Sequence, residues 1–284
     1  MKAARLTDGH SCPIPPAPYL GGPGAHVGGP ILAPGAPLVL SEGLAASRLA
    51  DFAACLGAGD VDCVAAGAAM VLINGLPAVR VGDDTAHKGL VVGPGAAQIE
   101  IGGPTFSLPP NVKVTGDATF MNKTIRDLYF LSLTPSGRAL FARLQATGKP
   151  IIIVNGKGDQ QIGIPYGPQV VVYNPEDNRS VRGAGNVLIS CPAQVSLGHE
   201  LVHAMNNAEG KLVILGDDPV GTATQPKIGE REAQAIGVGS HSGDYPTENS
   251  LRKDLGLPPR DNHFGGVGAL PPAGTLRPGA PGDP

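Results

Sequence analysis

The sequence predicts a multi-domain fold: an all-β, pseudo-threefold unit followed by an α+β unit. Three observations carry this reading. Residues 1–106 are rich in Gly, Pro, Ala and Val and repeat a motif; residues 111–264 hold most of the charges and the longer periodic segments; the diproline stretch SLPPN at 107–111 joins them. Gly (42) and Pro (29) fill a quarter of the 284 positions, which excludes a long-helix bundle or a coiled coil. With 42% hydrophobic and 16% charged residues, the chain still has enough apolar material to pack. A net charge of −3 advertises no broad basic surface, so nucleic acid is not an expected partner. Four cysteines are too sparse for a disulfide scaffold. No apolar run approaches the ~20 residues of a membrane span, so no transmembrane segment is expected. The start, MKAARLTDGHSC, has no apolar stretch for a Sec signal. The expected layout is a first domain at 1–106, a linker at 107–114, a second domain at 115–264 and a tail at 265–284 that reads as disordered.

The first domain is repetitive. GAPLVLSEGLAASRLADFAAC from Gly35 and GAAMVLINGLPAVRVGDDTAH from Gly67 align at an offset of 32 without a gap, and GAAQIEIGG from Gly95 is a partial third copy. An inner element, A-x-R-x-x-D, occurs at 3–8, 46–51 and 78–83. Each copy reads as short strands around a tight turn; Val71-Leu72-Ile73 before Asn74-Gly75 is a strong hairpin signal. A single copy cannot bury its own apolar face, so three must pack about an axis. A residue able to hold metal follows each element: His10, Cys55 and His87, with His26 available as a fourth. Three imidazoles and a thiolate suit structural zinc; the plainer reading makes them loop residues with Cys55 a small buried apolar group.

These residues, with LINGLPAVRVGD (72–83), DGHSCP (8–13) and AHVGGPI (25–31), resemble the PAAR-repeat family over about residues 1–106. The resemblance implies a sharp cone tipped by zinc, capping the VgrG spike trimer of the bacterial type VI secretion system and carrying fused effectors. It further implies export by that system into a target cell, from the bacterial cytoplasm, which accounts for the missing signal. The copy at 35–55 departs from the pattern at Ser41-Glu42, Ala45 and Ala50, which puts its local geometry in question.

In the second domain, VSLGHELVHAMN (195–206) places Val195, Leu201, Val202, Ala204 and Met205 on one helical side. Within it, His199-Glu200-Leu201-Val202-His203 is an HExxH motif. Histidines at i and i+4 share one face and can ligate one metal, with Glu200 placed to take a proton from water. Gly210 is a plausible helix stop. Candidate third ligands are Glu230, Glu232 and Glu248, with Asp217 and Asp218 weaker; spacing does not choose between Glu230 and Glu232, and any one of them could be a solvated helix carboxylate. Runs at 151–154, 170–173 and 187–189 read as strands, one of which would offer an edge to an extended peptide.

LGHELVHAMNNAEG (197–210), EAQAIG (232–237) and TENSLRKDLGLPPR (247–260) resemble the NleD-type zinc metallopeptidase family, with echoes of clostridial neurotoxin light chains. The resemblance implies a zincin-like α+β fold and Glu232 as the third ligand of a catalytic zinc beside His199 and His203. Arg231 stands where those relatives often carry a second glutamate. It further implies Arg260 at the developing oxyanion, with His263 at the position of the relatives' tyrosine. The whole chain then reads as a delivery spike fused to a zinc-dependent endopeptidase toxin that cleaves proteins in the target cell, with an immunity protein as a possible partner. The alternative is a structural spike tip whose C-terminal domain only binds a target or cargo; a nuclease toxin lacks a supporting His/Asn/Asp cluster.

Overall fold

The computed structural model describes residues 1–13, 26–56, 60–163, 165–211 and 229–265, with side chains at 186 and 262–265 excepted. The chain divides into two compact units, the first holding residues 1–108 and 114–126, the second 109–113 and 127–265. Among the described residues of the first, the short strands are, in order, β1 (Gly9–His10), β2 (Gly29–Pro30), β3 (Ala36–Ser41), β4 (Leu44–Ala46), β5 (Phe52–Cys55), β6 (Asp60–Cys63), β7 (Ala66–Ile73), β8 (Leu76–Ala78), β9 (Val91–Val92) and β10 (Thr105–Ser107). They form small sheets: β2-β1-β9, β10-β7-β8, β3-β4 and β5-β6.

The sequence repeat is a repeat of geometry. Hairpin β3–β4 pairs Ala36 with Ala46, Leu40 with Ala45 and Ser41 with Leu44; hairpin β7–β8 pairs Ala68 with Ala78, Leu72 with Pro77 and Ile73 with Leu76. Every pair, and the register shift between the first two, moves by the same 32 residues. The two turns agree as well: Asn74 and Gly75 have φ of 50° and 76°, Glu42 and Gly43 have 52° and 84°. The departure at Ser41-Glu42 therefore leaves the turn unchanged. Glu42 carries the left-handed conformation while its carboxylate accepts from Arg5 at 2.7 Å and from the Gln98 N–H at 2.8 Å.

The A-x-R-x-x-D element has a common physical cause. In each copy the Asp carboxylate accepts the Arg backbone N–H, at 2.9, 2.7 and 2.8 Å for Asp8, Asp51 and Asp83. The Asp N–H in turn donates to the Arg carbonyl at 3.2, 3.1 and 3.1 Å. The residue before Asp must then adopt positive φ: Thr7 at 74°, Ala50 at 69° and Gly82 at 97°. The middle residues of A-x-R close a main-chain ring, Ala4 N to Val79 O (2.9 Å), Val79 N to Ser47 O (3.0 Å) and Ser47 N to Ala4 O (3.0 Å). Bridges Arg5–Ala46, Arg48–Ala78 and Arg80–Ala3 run around the same circuit. Ala4, Ile31, Ala53, Val64, Val79 and Val91 pack as a core.

Next come β11 (Val112–Thr115), which begins in the segment read as a linker, and α1 (Ala118–Ser132), each divided between the two units. Then come α2 (Pro135–Thr147), β12 (Ile151–Asn155), β13 (Gln160–Gly163), β14 (Gln169–Tyr173), β15 (Arg179–Gly183), β16 (Leu188–Cys191), α3 (Ala193–Ala208), α4 (Glu230–Ile236), α5 (Glu248–Asp254) and β17 (Arg260–Gly265). The runs read as strands are β12, β14 and β16. One sheet runs β11-β12-β14-β13, with β12 and β14 parallel and β13 antiparallel on the edge; the other runs β16-β15-β17. Thr134 caps α2 by accepting from Gly137 N–H, and Pro135 follows at its first turn.

Helix α3 departs from the one-sided pattern. It packs against β13 and β14 and against α2, α4 and α5, so its polar residues Ser196, His199, Glu200, His203, Asn206 and Asn207 are buried along with the apolar ones. The segment at 265–284 lies, beyond Gly265, outside the described residues.

Of the three repeated Arg–Asp pairs, Arg80–Asp83 is buried on both sides, at 2.8 Å. Replacing Asp83 by Ala leaves a buried guanidinium uncompensated, and unfolding of the N-terminal unit is expected to lose about 3–5 kcal/mol by calorimetry on the full chain. Asp83→Asn, which keeps an acceptor for the backbone, should fall between.

Candidate metal centres

Among the described residues, potential ligands cluster in both units. In the first unit, donor atoms of Cys12, His26, Cys55 and His87 lie within 4.8 Å of one another. His26 Nδ1 is 3.0 Å from Cys55 Sγ, and Cys12 Sγ is 3.5 Å from His87 Nδ1. His26, Cys55 and His87 are three of the expected ligands; Cys12 is the fourth member of this cluster, while the expected His10 stands in a second group with Cys12 and Asp62. His10 turns its Nδ1 to the Gly29 carbonyl at 3.0 Å, and its Nε2 lies 3.4 Å from Asp62 Oδ2. The signal was in the repeat: Cys12, Cys55 and His87 each stand four residues after the Asp of A-x-R-x-x-D, whereas His10 stands two after.

Burial, then the neighbouring Cys12 sulfur, pushes the Cys55 thiol up to about 12. A cation among these donors reverses that logic, because a coordinating thiol gives up its proton. Two nitrogens and two sulfurs are a donor set that tetrahedral zinc accepts. His10, Cys12 and Asp62 form an overlapping group that shares the Cys12 sulfur.

In the second unit, α3 puts His199 and His203 one turn apart, and their Nε2 atoms are 3.1 Å from each other. Glu232, in the first turn of α4, reaches both: Oε2 is 3.2 Å from His199 Nε2 and Oε1 3.2 Å from His203 Nε2. Glu230 points elsewhere, to Ser240 and to His241 at 2.7 Å. Gly237 sets the end of α4. Its φ is 84°, and a Cβ there would meet the Thr247 hydroxyl at 2.5 Å. Thr247 caps α5 through a reciprocal capping box with Ser250. The short connection thus fixes Glu232 and Glu248 relative to each other.

Glu248 is not a ligand candidate in this arrangement but the support behind one. Its Oε2 is 2.8 Å from His199 Nδ1 and 2.8 Å from Arg260 Nη1, and Oε1 is 3.4 Å from Arg252 Nη1. Burial would raise its pKa, but His199, Arg260 and Arg252 hold it down at about 2. A carboxylate at ion-pair distance from Nδ1 favours a proton on that nitrogen and leaves Nε2 facing the cluster. The two Nε2 atoms and the Glu232 oxygens face one another at 3.1–3.2 Å, a grouping that a shared proton or cation would hold together. Burial holds His203 down at about 4, while for His199 the two carboxylates outweigh burial and hold it up at about 10. Two imidazoles and one carboxylate are a donor set for zinc with a position left open.

Glu200 lies between two clefts, one of about 580 Å³ shared with Lys157, Gln161 and Arg231, the other of about 230 Å³ shared with Arg179, Ser196 and Arg260. Burial raises its pKa, the adjacent His199 opposes that, and Glu232 and Asp159 add to the rise. Asp159, paired with Arg179 at 2.7 Å, is a neighbour that sequence reading missed. Arg260 is buried against Glu248, and its backbone exchanges bonds of 2.8 Å with the Asn249 side chain. His263 is in β17 with its side chain outside the described residues, and Asp217 and Asp218 lie outside them entirely.

Comparison with known families places the two halves separately. Residues 109–263 match Peptidase_M91, described as effector protein, and residues 21–93 match the PAAR motif. The first match spans more than half of the chain, which therefore belongs to that peptidase family. No curated protein matches the chain.

Two substitutions test the clusters. Cys12→Ala is expected to remove about one zinc equivalent per full chain by elemental analysis, and His10→Ala to leave the content nearly unchanged. Glu248→Gln is expected to weaken zinc binding at the second cluster about 10–100-fold in chelator competition, with far-UV circular dichroism retained.

Proposed function

Proceeding from membership of this peptidase family, we propose that the chain is a type VI secretion effector in which a zinc-tipped PAAR spike carries a zinc-dependent endopeptidase. The observation that carries the enzymatic half is the meeting of His199, His203 and Glu232 with the buried Glu200 beside them. Those three residues would hold the zinc, which when bound supplies Lewis acidity, lowering the pKa of a water to ~7 and polarising a carbonyl.

The chain's own groups supply the rest. Glu200 takes a proton from the attacking water on its carboxylate and returns it to the leaving amine nitrogen. Its raised pKa suits a group that must both accept and release a proton near neutral pH. Glu248 keeps the His199 ring in place through Nδ1. Arg260, anchored by Glu248 and Asn249, presents positive charge to the smaller cleft, where an oxyanion would be stabilised. The edge strand β13 borders the larger cleft through Gln160 and Gln161, and an extended substrate would add there as a further strand.

The spike half rests on the PAAR match and on the closed circuit of bridges among the three copies. That circuit supports a pseudo-threefold cone seated on a VgrG trimer. Equivalent strands of two copies expose apolar side chains that a partner would cover: Leu38 at 91% and Met70 at 75%, with Leu40 and Leu72 alongside. No helix among the described residues is long and apolar enough to cross a membrane. The proposed route is export from the bacterial cytoplasm into a target cell.

The test is Glu200→Gln in the full chain. Peptide cleavage is expected to fall at least 10³-fold while zinc content stays at the wild-type value. Cleavage that persists in this variant overturns the enzymatic assignment.

A further inference from the structure

The larger cleft beside Glu200 contains two cations that no acid among the described residues pairs with. Lys157, just ahead of β13, and Arg231, in the first turn of α4, both line it. Among the described residues neither forms an ion pair. Arg231 donates one hydrogen bond, from Nη2 to Gln161 Oε1, and its buried Nε has no partner. Gln161 is itself buried and held: its Nε2 donates to Gln169 Oε1, which also accepts from Asn207 Nδ2 at 2.7 Å. A chain of amides anchored on β14 and α3 thus fixes the guanidinium on the cleft wall without cancelling its charge.

The acids of the same cleft are committed elsewhere. Asp159 pairs with Arg179 at 2.7 Å, and Glu232 faces the two imidazoles at 3.2 Å. Glu200 is the proton carrier of the reading above. An extended peptide on β13 would therefore pass one anchored guanidinium and one lysine, neither in an ion pair among the described residues.

We propose that Lys157 and Arg231 form a specificity site for an anionic side chain of the substrate, close to the bond that is cut. This rests on the endopeptidase reading. A guanidinium with free donors matches a carboxylate or phosphate oxygen pair, and the lysine adds a mobile point charge. The amide anchor gives the guanidinium a fixed direction, so register along β13 decides which substrate residue meets it.

The experiment uses the zinc-loaded full chain carrying Glu200→Gln. Its probes are fluorescent degenerate peptide pools with a fixed central Glu, Gln or phosphoserine, read by anisotropy. The Glu or the phosphoserine pool is expected to bind about tenfold or more tightly than the Gln pool. Whichever anion leads identifies the source of the charge. Arg231→Gln and Lys157→Gln should each remove most of that preference, with zinc content retained, and Arg231→Lys should keep part of it. Equal binding of all three pools, or a preference that survives both Gln variants, overturns the proposal. Digestion of the same pools by the wild-type chain separates the two claims. Cutting without anionic preference leaves the peptidase standing and removes this site; anionic preference in binding without cutting leaves the site and removes the peptidase.

Discussion

A single buried carboxylate, that of Glu248, organises the second unit. Removing a charge from water is tolerable only when opposite charges and donors surround it. Glu248 meets that requirement with three partners from three elements: His199 on α3, Arg252 on α5 and Arg260 on β17. The arginines are fixed in turn, Arg252 by the carbonyls of Pro258 at 2.6 Å and Ser190 at 2.7 Å, Arg260 by Asn249. One ionised group therefore ties the helix bearing the histidines to the second sheet and lies against an imidazole of the site. The capped start of α5 places it there, and a helix N-terminus favours the negative charge.

The first unit is governed by a different constraint, closure. Three copies of A-x-R-x-x-D each make the same turn, and the middle residues of A-x-R bond head to tail until the third returns to the first. Such a circuit satisfies buried main-chain donors without long strands, which suits a segment so rich in Gly and Pro. Identical turns also carry the residue four places beyond each Asp to a common place. Convergence of Cys12, Cys55 and His87 is a consequence of the repeat and not of any local contact.

The parts of the site that the sequence made legible were those encoded by local periodicity. His199 and His203 share a helical face whatever surrounds the helix. The hairpin turn at Asn74-Gly75 states its own backbone conformation, whereas its partner at Glu42-Gly43, a departure from the pattern in sequence, is shown to match by its φ values. Cys12 was equally legible, since it obeys the spacing from Asp, whereas His10 stands two residues earlier. Glu232 required resemblance to choose it over Glu230, because two carboxylates at the start of one short helix differ only in the face they present.

What the residues alone determined, then, is a repeat with its turns, a helix bearing two histidines and a glutamate, and the strands beside it. Tertiary structure decided which carboxylate faces the histidines, which supports them from behind, and which strand forms the sheet edge. It also turned α3 from a one-sided helix into one enclosed on every side. The reason is that these choices depend on groups far apart in the chain. A buried charge takes its role from the partners that folding brings to it, and those partners, at positions 199, 252 and 260 for Glu248, are set by how helices and sheets pack.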